Sequence, residues 1–195
     1  TPTPYWLELV CNGEYIRFPV GFRRVEIRDG IVWINGAKVK AKGVNRHDSD
    51  PRLGNTAPYD RMLRELLILK ANHINLLRTA HYPNDPRLLG LCDRLGIYVC
   101  AECDMETHGL QLVGNWSLLT DDPAWEGEYL DRAVRMFERD KNHPCVVMWS
   151  VGNESGTGCN FRKVYEYLHS RRSDCIVHSE GSSRAYMERY RKGEL

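Results

Sequence analysis

Cys145-Val-Val-Met-Trp-Ser-Val-Gly-Asn-Glu154 is the run that decides the fold. Its first five residues, Cys145 to Trp149, are all apolar and follow Pro144, which predicts a strand buried on both faces, as in a parallel sheet. Its last two residues are an amide and a carboxyl, groups that a packed core does not tolerate without partners. An apolar strand therefore carries polar chemistry to one of its ends.

Outward from that run the pattern repeats. Val39 to Val44 predicts a short strand, and Asp60 to Asn72 a helix with Met62, Leu63, Leu66, Leu67 and Leu69 on one face. His73 to Leu77 is strand-like. Asp85-Pro86 supplies an N-cap and a proline at the first helical position, Leu88, Leu89, Cys92 and Leu95 form a buried stripe, and Gly96 ends that helix. Ile97 to Ala101 reads as the next strand. After a long loop, Asp122-Pro123 starts a helix with Trp125, Tyr129, Ala133, Met136 and Phe137 at helical spacing. Phe161, Val164, Tyr165 and Leu168 mark one more helix, and Cys175 to His178 a fifth strand. Apolar strands alternating with amphipathic helices imply an α/β fold, as an open doubly wound sheet or a closed barrel.

The strand ends separate these two. Asn45-Arg-His47, Arg78 with His81, Glu102 to His108, Asn153-Glu154 and Glu180 put polar residues after each of five strands in turn. Open sheets gather their chemistry at one switch point, whereas barrels build a site from the C-terminal ends of many strands. No Gly-rich phosphate loop follows the first strand. The expectation is a partial (β/α)8 TIM barrel of about five βα units. Tyr5 to Phe18 differs, alternating apolar and polar residues about an Asn12-Gly13 hairpin turn. Residues 1–20 accordingly read as the tail of a preceding sandwich-like β domain, and 21–195 as the N-terminal part of the barrel. Val25 and Ile27, Asp29-Gly30 and Ile31-Val-Trp-Ile form a small β unit leading in.

The composition excludes several function classes. With 27 basic against 26 acidic residues and no block of like charge, no nucleic-acid arm is expected. No apolar run approaches the roughly 20 residues that span a bilayer, and Thr1-Pro-Thr-Pro-Tyr-Trp lacks the pattern of a signal peptide. Seven cysteines without a regular framework suggest reduced thiols in a cytoplasmic enzyme. Cys100 and Cys103 form a C-x-x-C at a strand end, but no second pair stands at zinc-like spacing.

Glu154 is the first candidate for chemistry. A glycosidase needs a carboxylic acid to protonate the leaving oxygen, and an amide such as Asn153 suits a sugar 2-hydroxyl. The run alone leaves a capping pair in a strand-to-helix loop equally open. The flanking residues break the tie. Asn75-Leu-Leu-Arg-Thr-Ala-His-Tyr-Pro-Asn-Asp-Pro, running on to Asp93-Arg-Leu-Gly-Ile-Tyr-Val, resembles the first signature of the family 2 glycoside hydrolases. Asp140-Lys-Asn-His-Pro-Cys-Val-Val-Met-Trp-Ser-Val-Gly-Asn-Glu resembles the second, which ends on the general acid/base. Gly43-Val-Asn-Arg-His, Glu106-Thr-His-Gly, Leu119-Thr-Asp-Asp-Pro and Asn153-Glu-Ser-Gly are most similar to the large bacterial β-galactosidases of that family, a resemblance running from about Gly21 to Gly181.

The resemblance implies a retaining β-galactosidase with Glu154 as acid/base. It implies Mg²⁺ gathered by Glu106, His108 and Glu154, with Na⁺ a further ion of the complete enzyme. Spacing alone reads Glu106-Thr-His108 as a solvated loop. The substrate-binding set would be His47, His81, Asn153 and Arg78; core histidines and a structural salt bridge are the alternatives for His47, His81 and Arg78. Trp116 and Trp149 are candidates for stacking on a sugar, with barrel core the alternative for Trp149. The expected partner is a β-galactoside, with no nucleic acid, no membrane and a homo-oligomeric complete enzyme. The resemblance puts the nucleophile glutamate on a later strand, and Glu180 does not match it, so the chain is expected to be an inactive fragment. A β-glucuronidase or β-mannosidase, and a non-catalytic carbohydrate-binding module, are the competing readings.

Overall fold

In the computed structural model, which describes residues 2–194, the chain opens with two antiparallel strands, β1 (Tyr5–Cys11) and β2 (Glu14–Val20). The turn between them places Asn12 and Gly13 at φ 48° and 84°, the doubly left-handed geometry that Asn-Gly favours in tight hairpins. Most residues of this hairpin are exposed on both faces. A three-stranded antiparallel sheet follows, β3 (Val25–Arg28), β4 (Ile31–Ile34) and β5 (Ala37–Lys38).

Strand and helix then alternate: β6 (Gly43–Arg46), α1 (Tyr59–Ala71), β7 (Leu76–Thr79), α2 (Pro86–Leu95), β8 (Tyr98–Glu102), α3 (Glu126–Asp140), β9 (Val146–Ser150), α4 (Cys159–Arg171), β10 (Ile176–His178) and α5 (Glu180–Arg191). The five strands from β6 onward are parallel and lie in the order β10-β9-β8-β7-β6. Sequential order without a switch point is the wall of a barrel, not a doubly wound sheet.

One face of this wall is packed by the helices. Met62 and Leu66 of α1, Leu88, Leu89 and Cys92 of α2, Ala133, Met136 and Phe137 of α3, and Val164 and Leu168 of α4 form one core with Leu77, Val99, Val146 and Trp149. The β3–β5 sheet covers part of the wall elsewhere, Val25 and Ile34 packing on Val147 among Val39, Leu76, Tyr98 and Ile176. Asp85 caps α2 by accepting from the Arg87 amide, and Gly96 ends it at φ 68°, where a side chain is strained.

Several sequence expectations move. The strand read over Val39 to Val44 is Gly43–Arg46, because Ala37–Lys38 pairs back on β4 and its neighbours serve that turn. The strand read from His73 begins only at Leu76, since α1 runs to Ala71 and His73 sits at φ 59° in the exit turn. Leu67 and Tyr165 are exposed, at the margins of their apolar stripes. Asp122-Pro123 opens a short 3-10 turn, Pro123–Trp125, ahead of α3, which leaves Trp125 exposed. Trp149 is fully buried against Phe137, ring centroids 4.9 Å apart, so it is core and does not stack on a sugar.

Candidate active site

Because β6–β10 are parallel, their C-terminal ends share one rim, and the terminal residues are all polar: Arg46, Thr79, Glu102, Ser150 and His178. Four of these five, Thr79, Glu102, Ser150 and His178, join in a hydrogen-bonded layer beneath the mouth. Glu102 is wholly buried. Its Oε2 accepts from Arg78 Nε at 2.6 Å and from Ser150 Oγ at 2.6 Å, with a second Arg78 nitrogen at 2.5 Å. Its Oε1 lies 2.7 Å from His81 Nδ1, and its backbone N–H donates to Thr79 Oγ1. Arg78 also donates to Asn153 Oδ1 at 2.9 Å. One buried anion thereby ties β7, β8 and β9 to the residue beside Glu154.

The protons in this layer can be placed. The Ser150 hydroxyl has one proton and gives it to the Glu102 carboxylate, which only accepts. The Ser150 oxygen, 3.1 Å from His178 Nδ1, must then accept from that nitrogen. A neutral His178 fits, since burial first and the Arg78 charge second push its pKa below the ordinary histidine value.

Above this layer the loops after β8 and β9 are joined by main chain. Glu106 and Asn153 form a parallel bridge in which the Asn153 N–H donates to the Met105 carbonyl at 2.9 Å. Gly152 permits that approach, because a Cβ there would overlap the Met105 carbonyl oxygen. The loop 153–158 also lies against residues 116–121: a Cβ on Gly156 would strike Ser117, and one on Gly158 the Thr120 carbonyl. Thr107 N–H donates to Ser155 Oγ, and Thr107 Oγ1 to the Trp116 carbonyl. These contacts set Glu106, His108 and Glu154 side by side.

One ligand atom from each of Glu106, His108 and Glu154 lies within 4.8 Å of the others, with Glu106 and His108 exposed and Glu154 half-buried. His108 Nδ1 is 2.5 Å from a Glu154 oxygen and 3.8 Å from a Glu106 oxygen. Two carboxylates and an imidazole converging on one point, open to water, suit a hard divalent cation that retains part of its hydration. A carboxylate pair roughly 5–5.5 Å apart would also match a retaining acid/base and nucleophile. His108 Nδ1, 2.5 Å from a Glu154 oxygen, makes this cluster a three-donor set instead of a bare carboxylate pair.

The remaining candidates fall around this cluster. His47, exposed after β6, meets His81 edge to face, centroids 5.1 Å apart, and leans on Tyr82. Trp116 stacks on His108 at 5.1 Å, and the Arg184 guanidinium lies 4.3 Å over its ring. Glu180 is the first residue of α5 and pairs with Arg184 within the same helix. The sequence reading missed Glu102, Ser150, Thr79 and His178 as site components. Their position at strand ends was visible, but a buried anion and a solvated one look alike in a polar run such as Glu102 to His108.

Residues 25–191 match the family model described as glycosyl hydrolases family 2, TIM barrel domain. A β-galactosidase of Vibrio cholerae is 45% identical over 168 residues, 86% of this chain and 16% of that protein. One from Pectobacterium atrosepticum is 42% identical over 174 residues, 88% of this chain and 16% of that protein. The chain thus spans about a sixth of the length of these curated relatives. Among solved structures, a β-glucuronidase of an uncultured Clostridium superposes with a TM-score of 0.79 at 26% identity, covering 90% of this chain and 31% of that one. A β-galacturonidase from Eisenbergiella tayi, bound to galacturonate, gives 0.72 at 25% identity, covering 91% and 32%.

Proposed function

The chain belongs to glycosyl hydrolase family 2, and from that premise we propose that it carries the acid/base side of a retaining β-galactosidase site. The observation that carries the reading is the convergence of Glu106, His108 and Glu154 at the strand ends, beside an Asn153 held by Arg78. Glu154 is the general acid: its carboxyl proton goes to the glycosidic oxygen as the bond to the anomeric carbon breaks. Glu154 then regains a proton from the water that attacks the glycosyl intermediate. We assign the nucleophile to residues outside this chain.

Mg²⁺ fits the Glu106, His108 and Glu154 donors, and when bound it supplies a fixed positive charge beside the acid. Na⁺ belongs to the same proposal for the longer protein, as does a homo-oligomer. The sugar is a neutral one, lactose among the candidates. Arg78 is engaged by Glu102 and Asn153 and is not free to pair with the carboxylate of a uronic acid. This observation favours a galactoside over a glucuronide, although named glucuronidases share the backbone. All seven cysteines are unpaired, which supports a cytoplasmic setting. Among the described residues no helix is long and apolar enough to cross a membrane.

The test is a chimera in which residues 25–191 replace the matching segment of the Vibrio cholerae relative. It should hydrolyse an aryl β-galactoside but not the β-glucuronide, and Glu154→Gln should abolish turnover. The isolated chain should be inactive. A chimera that cleaves the glucuronide instead overturns the substrate assignment, and full activity of Glu154→Gln overturns the acid.

A further inference from the structure

Glu102 lies at the centre of the buried layer, yet its geometry leaves it nothing to do to a substrate directly. It has no exposed surface, and four polar contacts from Arg78, His81 and Ser150 occupy its two oxygens. What it can do is set the state of the group it touches at the mouth. His81 is partly exposed, 24% for its side chain, and its Nδ1 is spent on Glu102. Among the described residues His81 Nε2 has no hydrogen-bond partner, and it is not among the buried unsatisfied atoms, so it faces accessible space.

We propose that Glu102 is a positioning residue that holds the His81 proton on Nδ1 and so presents Nε2 to a sugar hydroxyl. A carboxylate only accepts, so the nitrogen facing it at 2.7 Å must be the N–H. In a neutral imidazole one nitrogen donates and the other accepts, and the bond made by one decides the role of the other. With Nδ1 fixed as donor, His81 in its neutral form accepts a hydrogen bond at Nε2 from a substrate hydroxyl instead of donating one. The same carboxylate orients Arg78, whose other contact is Asn153, so Glu102 governs two mouth residues from two strands.

The sugar contact rests on the glycosidase reading; the proton placement does not. Side-chain ¹⁵N–¹H spectra of the uniformly labelled chain at mildly alkaline pH, with His81 assigned by loss of its signals in His81→Gln, read the tautomer directly. The expected result is an Nδ1-bound proton shifted downfield by a strong hydrogen bond, with Nε2 as a bare nitrogen. Glu102→Asp keeps the charge beside Arg78 but withdraws the oxygens by one methylene, and should move His81 toward the Nε2–H form. A wild-type His81 protonated on Nε2 with a bare Nδ1 overturns the proposal, as does an unchanged Nδ1–H signal in folded Glu102→Asp. Should Glu102→Asp fail to fold, the wild-type tautomer decides alone. Absence of hydrolysis in the chimera would sink the glycosidase reading while leaving this spectrum as it is.

Discussion

Replacing Arg78 by methionine keeps most of the stem but removes the guanidinium, leaving the Glu102 carboxylate in a place water does not reach. Its remaining donors are His81 Nδ1 and the Ser150 hydroxyl. With side-chain exposures of 17% for Arg78 and 0% for Glu102, the anionic end of the pair is fully buried and its cationic end largely so. Breaking such a pair from one side costs about 3–5 kcal/mol, chiefly the uncompensated charge. With a urea m-value of about 2 kcal/mol per molar, the unfolding midpoint should fall by roughly 1.5–2.5 M. Tryptophan fluorescence in urea reads this, with Trp149 in the core as reporter. Arg78→Met combined with Glu102→Met removes the stranded charge and leaves only polar atoms of His81, Ser150 and Asn153 short of a partner. Unsatisfied neutral groups cost about 1–3 kcal/mol, so the double variant should be more stable than Arg78→Met alone. If the two single losses add to the double loss within about 0.5 kcal/mol, the residues are not coupled and the reasoning fails.

Three further outcomes are expected. Mg²⁺ binding to the chain, followed by calorimetry or by Trp116 emission, should weaken at least about tenfold in Glu106→Gln and in Glu154→Gln, since even outer-shell partners are worth that much; undiminished affinity in both would remove the metal assignment. Gly158→Ala places a methyl group against the Thr120 carbonyl and should lower stability by about 1–3 kcal/mol, the usual range for overpacking, seen as a drop in Tm. His178 has a depressed folded pKa, so below the ordinary histidine value of about 6.5 the unfolded chain binds the extra proton and stability falls as pH drops toward the folded value. His178→Gln should flatten that part of the stability profile, and an unchanged slope would mean that His178 is not its source.

How much of this was legible depended on the kind of signal. Elements with a chemical punctuation mark, such as the Asn12-Gly13 turn or the Asp85-Pro86 start and Gly96 stop of α2, could be read nearly to the residue. Strand starts were harder, because Val39 and His73 are as compatible with a turn as with a ladder and only pairing decides. Five polar strand ends were enough for the barrel. The division of those ends into a buried layer and an open rim was not readable, since it depends on contacts between residues 24 to 75 positions apart, as with Arg78 to Glu102 and Arg78 to Asn153. The cluster of Glu106, His108 and Glu154 shows the same limit: nothing in the spacing of Glu106-Thr-His108 announces Glu154, and the family resemblance was what connected them.

The bridge between Met105 and Asn153 is made of main-chain atoms, and that has a consequence for how such a site can change over time. A side chain is open to replacement at every generation, whereas a peptide N–H is common to every residue except proline. This part of what locates Glu154 is thus inherited with the backbone, and asks that position 152 stay glycine and position 153 not become proline. Rim side chains outside the buried layer and the donor cluster, such as exposed His47, are free to be rewritten. New sugar preferences can be tried one side chain at a time without displacing the acid that any of them would need.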